Sequence, residues 1–362
     1  AAAQKYPQAI SLDDAMFGHM LGPASWGAPD LEPAYLLEAS QKLYWPGKRQ
    51  LRGNIARAQA NSAFHAVGEE RLQVVQAAKV AYYEYFLAHR RLAVLADSTR
   101  LVENFREIAK TKYESAEVEQ QDVLLADVEL AELERQRLEL IRTERVARAR
   151  INTLLLVAPH YRLPPPPTQL RLMEPLPEAQ ELQGVALSQR PELAARAARV
   201  QAERYSAALA HKEFFPDVEF VGRYDAFWQE EELRPMVGLN VNMPIYKEKR
   251  WAAVREANYR TAQEQAALDS QVNELAFEVE QAAQLVQESR STIAVYQDRL
   301  LPTARHSVDS AQASYIAGRL DFLRLIESQR QLLLLQDRYY SVLAEYFERR
   351  AALERIVGVP VM

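Results

Sequence analysis

Between Pro46 and Pro159 the chain has no proline, and past the turn at Gly47 its only glycines there are Gly53 and Gly68. Proline removes a helical hydrogen bond and glycine costs about 1 kcal/mol relative to alanine, so a stretch this free of both reads as helix. The pattern breaks at residues 115–120, leaving one piece of roughly 65 residues and one of roughly 40. At 1.5 Å per residue these are about 100 Å and about 60 Å long, more than a compact globular domain can hold. Composition agrees: 362 residues contain only 11 glycines and are rich in Ala, Leu, Glu, Gln and Arg. That favours a mainly helical chain with a small β part.

Helical character returns after Pro244, over 247–316 with one interruption at Pro302 and over 320–355 with none. In the last stretch Ile326, Leu333, Tyr340 and Phe347 recur every seven residues beside Leu325, Leu332, Tyr339 and Tyr346, the repeat of a coiled-coil seam. The halves also resemble each other. Tyr113 matches Tyr315, Val118 matches Leu320, Glu119 matches Asp321, Leu154 matches Ile356 and Val157 matches Val359, all at an offset of 202 (315 minus 113). This reads as an internal duplication. The first repeat is expected over 1–158, with a strand pair at 6–44 and long helices at 47–157. A proline-rich, extended linker follows at 159–178. The second repeat, 179–362, is expected to carry a helix at 190–213, a strand pair at 217–244 and long helices at 247–357.

The strand pairs show period two. Val237, Leu239, Val241 and Met243 alternate with Gly238, Asn240 and Asn242, and Val218, Phe220, Tyr224 and Trp228 alternate with Glu219, Arg223 and Asp225. In the first repeat Leu37 and Ala39 alternate with Glu38, Ser40 and Lys42, and a weaker partner is expected near Ile10 and Leu12. A hairpin resting its apolar face on helices is the ordinary outcome. Here the length suits a tilted membrane strand, aromatics gather at one end, and the opposite face is charged as a wetted lumen would be. Val218, Phe220, Tyr224, Trp228, Val237, Leu239 and Val241 are therefore the expected lipid-facing residues. Four strands cannot close a barrel, and open edges are not tolerated in lipid, so closure calls for several copies of the chain.

Other classes fall away. The 44 basic and 49 acidic residues are interspersed and offer no basic stripe to a nucleic acid, and there is no cysteine for a disulfide, zinc ribbon or thiol nucleophile. Six scattered histidines form no HExxH pair, and neither a nucleophile elbow nor a glycine-rich phosphate loop occurs. An enzyme is not expected, and no cofactor. Met16, His19 and Met20 lie close in sequence, and thioether with imidazole suits Cu(I) or Ag(I). So short a pattern reads as an ordinary extracellular loop, and no metal site is expected. No apolar run reaches transmembrane-helix length, and Ala1 reads as the start of a mature or trimmed form that has lost a targeting segment, with or without a lipid-anchoring cysteine.

A set of local motifs then resembles a known family. The run Leu187-Ser188-Gln189-Arg190-Pro191-Glu192-Leu193 resembles the start of the second repeat in TolC-type outer membrane efflux proteins. Phe215-Pro216-Asp217 resembles the family's Pro-Asp junction, and Tyr44-Trp45-Pro46-Gly47-Lys48-Arg49 its glycine turn before Lys-Arg, with a lean to the heavy-metal efflux branch. Tyr315, Gly318, Asp321 and Ile326 resemble its Tyr-x-x-Gly motif. The resemblance implies a homotrimer with a twelve-stranded β-barrel in the outer membrane of a Gram-negative bacterium, continued by an α-barrel into the periplasm. It implies partners too: a periplasmic adaptor and an inner-membrane pump, for which the chain is a passive duct. The family's first helix, the partner of Pro191–Phe214, is expected ahead of Ala1. The competing reading is a coiled-coil envelope protein without a pore, which needs no strand pair of lipid length.

Two sets of site residues follow from the resemblance. Ser115, Tyr315, Ala317 and Gly318 at the hairpin ends are adaptor-contact candidates, and Asp122, Asp321, Arg324 and Glu327 are gate candidates. The family often carries acidic residues nine and twelve positions after the motif tyrosine; here Arg324 replaces the first and Glu327 keeps the second. Asp321, Arg324 and Glu327, three apart, are expected on one helical face, paired with each other or with Asp122 and Asp127, or simply solvated.

Overall fold

The computed structural model describes residues 1–26 and 32–361. The elements in chain order are α1 (Lys5–Ile10), β1 (Met16–Gly22), β2 (Ala34–Leu43), α2 (Lys48–Glu114), α3 (Gln120–Leu154), α4 (Ala179–Gln189), α5 (Pro191–Lys212), β3 (Val218–Asp225), β4 (Pro235–Val241), α6 (Lys247–Val295), α7 (Leu301–Ile316) and α8 (Phe322–Val357). Five residues of π-helix, Tyr296–Leu300, separate α6 from α7. The chain is thus mainly α with a small β part, as the breaker-free runs predict. It divides into two compact units, residues 1–69 with 191–273 and residues 70–190 with 274–362.

The first unit holds the sheet. Four antiparallel strands lie in the order β1-β2-β3-β4, so β1 and β4 are its edges, seven residues each. The register places Leu37 opposite Tyr224, Leu43 opposite Val218, Phe220 opposite Leu239 and Val218 opposite Val241. Residues directly opposite share a face, so these apolar side chains form one surface. The other surface carries the hydrogen-bonded polar groups beside Met16, Met20, Leu36, Val221 and Met236. Ser40 Oγ donates to Glu219 Oε1 at 2.8 Å, Arg223 Nε donates to Glu38 Oε2 at 2.9 Å, and Asn240 Nδ2 donates to Glu219 Oε2 at 3.2 Å.

Three expectations are corrected here. The first strand is Met16–Gly22, whereas Ile10 ends α1 and Leu12 follows it in irregular chain. Methionine, glycine and histidine hide the alternation of β1, while Tyr6 and Ile10 serve a different contact: a Cβ on Gly53 would lie 2.5 Å from Ile10 Cγ2 and 3.1 Å from Tyr6. Only glycine lets α1 lie this close on α2. Trp228 falls beyond the end of β3, in the segment joining it to β4. Finally, Met16, His19 and Met20 belong to β1 and not to a loop, with Met16 and Met20 on one face and His19 on the other, because a strand alternates its side chains.

A buried lysine ties strands to helices in the same unit. Lys48, 1% exposed, donates from Nζ to Asp217 Oδ1 at 2.9 Å, to the Phe215 carbonyl at 3.0 Å and to Glu213 Oε2 at 3.2 Å. The Trp45 amide also donates to Asp217 Oδ1, at 3.0 Å, and the Trp45 and Phe215 rings stack with centroids 5.2 Å apart. Three donors are consumed, so the ammonium is buried fully satisfied.

In the second unit the seam residues of α8 do face inward. Leu325, Ile326 and Leu332 are buried with Phe322 against Leu95, Val102, Phe105 and Ala109 of α2, Ala126 and Leu133 of α3, and Ala304, Val308 and Tyr315 of α7. The segment 159–178 carries no regular element. Sequence reading left α4 inside the approach to the second repeat; it packs on α8, where Gly358, at φ +90°, stands 3.2 Å from the Gln189 carbonyl.

The offset of 202 recurs in backbone detail. Helices α2 and α7 end at Glu114 and Ile316, and α3 and α8 begin at Gln120 and Phe322. Left-handed residues also match: Ala116 (φ 61°) with Gly318 (φ 67°), and Leu156 (φ 56°) with Gly358. The Ala116 amide bonds the Tyr113 carbonyl at 2.9 Å, and the Gly318 amide bonds the Tyr315 carbonyl at 3.0 Å.

Candidate functional site

Two regions carry the residues singled out by sequence. The first is the apolar face of the sheet, where Val218, Phe220, Tyr224, Val237, Leu239 and Val241 share one side with Phe17, Leu21, Leu37 and Leu43. Most are open to the surroundings, Val237 95% so. No helix covers this face enough to make it a core, and an apolar surface of this extent seeks another apolar phase. Among the described residues no helix is long and apolar enough to cross a membrane.

The second region is the pair of hairpin ends in the second unit. At each, a left-handed residue turns the chain between antiparallel helices, and Glu119 and Asp321 stand just ahead of α3 and α8 in extended conformation. The ends are adjacent. Tyr315, buried against Phe322 at 5.2 Å between ring centroids, donates its hydroxyl to Asp122 Oδ2 at 2.9 Å, and Lys112 Nζ sits 5.8 Å from the Tyr315 ring. Burial above all holds the Asp122 carboxyl higher than usual, with Asp321 and Glu119 nearby adding to the effect and the Tyr315 hydrogen bond opposing it. Burial, then the bond to Asp122, also raises the Tyr315 hydroxyl, so it remains a donor at any physiological pH.

Of the gate candidates, only Asp122 is brought onto a partner in this way. Asp321 precedes the helix and does not continue its face, and no ion pair joins Arg324 or Glu327 to Asp122 or Asp127 among the described residues. Asp127 pairs instead with Arg106 Nε at 2.5 Å. Ser115, Ala317 and Gly318 are exposed at the two turns, whereas Tyr315 is buried and acts between hairpins.

Higher along the same helices, sequence reasoning missed a second tie. Glu129, 3% exposed, accepts from Arg330 Nε at 2.8 Å, and Gln329 donates to Ser98 in the same layer. A glutamate among helical apolar positions at Ala126 and Leu133 is the signal that could have disclosed it.

Residues 182–359 match the family model described as outer membrane efflux protein. The cobalt-zinc-cadmium resistance protein CzcC of Cupriavidus metallidurans is 21% identical over 183 residues, a match spanning 50% of this chain and 43% of that relative, less than half its length. A solved structure of the outer-membrane channel OprN superposes with a TM-score of 0.82 at 19% identity, covering 98% of this chain and 83% of the other. The outer membrane protein VceC of Vibrio cholerae superposes with a TM-score of 0.80 at 16% identity, covering 99% and 89%. Whole-chain likeness at this identity establishes the fold, and the family match covers the second repeat, so residues 182–359 belong to the outer membrane efflux protein family, a likeness that places the protein in the outer membrane with a periplasmic extension.

Proposed function

We propose that the protein is the outer membrane channel subunit of a tripartite export system, a passive duct for solutes that an inner-membrane pump delivers through a periplasmic adaptor. The observation that carries this is the sheet: four strands with an apolar outer face, an inner face carrying hydrogen-bonded polar groups and two bare edges of equal length. Bare edges in lipid leave backbone groups unpaired at several kcal/mol each, and pairing β4 of one copy with β1 of the next removes both. Three copies then close a twelve-stranded barrel, with Val218, Phe220, Tyr224, Val237, Leu239 and Val241 toward lipid. A pore-less coiled-coil scaffold would have no use for such a face.

The hairpin ends are the docking points for the adaptor, through Ser115, Ala317 and Gly318, and the Tyr315 to Asp122 bond is a latch holding the second hairpin against the first. Asp321, Arg324 and Glu327 border the aperture that the latch controls. The likeness to CzcC supports divalent metal ions as cargo. Purified protein in a planar bilayer should give stepwise conductance in units of three-copy channels. A correctly folded protein that inserts and yields no steps would overturn the duct. Cysteine crosslinking from Ser115 or Ala317 to the adaptor tests the docking points, and no crosslink from either end removes them.

A further inference from the structure

The two hairpin ends are near-copies in backbone but differ in charge, the first uniformly acidic and the second setting Arg319 and Arg324 around Asp321. Between Glu114 and Gln121 the first end carries Glu114, Glu117 and Glu119 and no cation. At the offset of 202 the second end has Ile316, Arg319 and Asp321 in those places, and Arg324 stands where the first has Asp122. Glu114, Glu117, Glu119, Arg319 and Arg324 are all exposed. Among the described residues, Glu117 alone of these has an ion-pair partner, Lys112 Nζ at 2.9 Å, with Ser115 Oγ at 3.2 Å. The ends touch through Tyr315 and Asp122, yet no ion pair runs between their turns among the described residues. Neighbouring opposite charges that do not neutralise each other remain available to a partner. Exposed Ile316 and Leu323 give the basic end an apolar rim that Glu114 and Gln121 deny the acidic one.

We infer that the two ends are inequivalent docking sites. The first takes a partner hairpin turn bearing Lys or Arg, and the second takes one bearing Asp or Glu beside an apolar residue. This rests on the reading of the hairpin ends as docking points. A partner approaching in the wrong register meets like charge at both ends, so the alternation fixes register as well as attraction.

The test uses the whole protein with a single cysteine at Ser115 or at Ala317, and three synthetic helical-hairpin peptides whose turns carry three lysines, three glutamates or three glutamines, each with one crosslinker beside the turn. Crosslinking of the lysine turn to Ser115→Cys and of the glutamate turn to Ala317→Cys, each about tenfold over the glutamine turn and lost at high salt, is the result expected. Adding Arg319→Gln with Arg324→Gln should abolish the glutamate signal at Ala317→Cys and leave the lysine signal at Ser115→Cys. Equal labelling of both ends by any one turn, or by all three, overturns the charge assignment while leaving docking intact. Absence of labelling at both ends overturns the docking reading itself.

Discussion

Replacing Tyr315 with phenylalanine isolates the latch. The ring keeps its contact with Phe322, and only the hydroxyl that donates to Asp122 at 2.9 Å disappears. A hydrogen bond to a charged acceptor contributes about 1.5 to 3 kcal/mol, and the partial exposure of Asp122 argues for the lower end, or about a tenfold gain in local opening. Hydrogen exchange at the α7 amides from Ala304 to Ile316 should quicken by that factor, with exchange in the sheet unchanged. Single-channel records should show longer or larger openings. Asp122→Asn should act more weakly, since the amide oxygen still accepts the bond and the cost of burying a carboxylate is gone. Exchange at the α7 amides that matches the parent protein in a folded Tyr315→Phe would refute the latch, whatever the conductance.

Acidity should favour the packed state around Asp122 even as it weakens the hydrogen bond itself, since burial outweighs that bond. Because the packed state raises the Asp122 carboxyl, its contribution is complete below the ordinary value of 3.8 and is lost as pH rises through the raised one, so protection factors at the α7 end, which divide out the intrinsic pH dependence of amide exchange, should rise on acidification; lower protection factors there would contradict the sign. Leu239→Arg on the apolar face should cost on the order of 2 to 4 kcal/mol near a bilayer midplane and prevent assembly, while Asn240→Arg is tolerated; equal trimer yields from both would count against the assigned faces. Lys48→Met strands Asp217 with one amide donor and should destabilise by about 3 to 5 kcal/mol in denaturant titration, more than Lys48→Met with Asp217→Asn together. Leu156, 94% exposed at φ 56°, should be improved by glycine by about 0.5 to 1 kcal/mol, since relief of the left-handed strain exceeds the added chain entropy; a loss of stability would mean that the side chain is held by a neighbour.

The long helices were legible because their signal is an absence: with no proline and only Gly53 and Gly68, nothing stops α2 from Lys48 to Glu114. The hairpin ends were legible through the match of Tyr113 with Tyr315, which the backbone repeats at Ala116 and Gly318. Strand β1 was misplaced because Met16, Gly18, His19 and Met20 carry little polarity contrast, and α4 was missed because it borders a proline-rich segment. The charge pairs resisted prediction for another reason. Spacing along α8 says which residues share a face, but Asp122 and Tyr315 are 193 positions apart and meet only through packing of two hairpins. Lys48 was noticed as part of a motif, yet its burial against Asp217, from the other repeat, has no local trace.

The π-helical residues Tyr296–Leu300 lie just ahead of Pro302, and the matching position in the first repeat is Arg100 (302 minus 202), inside an uninterrupted helix. Proline deletes one rung of the helical ladder, and a π-turn widens its cylinder to make room for the ring. The two hairpins therefore differ as springs. The first is a continuous rod, stiff over its whole length, whereas the second has a compliant point about 15 residues above its end, roughly a 22 Å lever at 1.5 Å per residue. Any load applied at Tyr315 bends the second hairpin at that point before it strains the first.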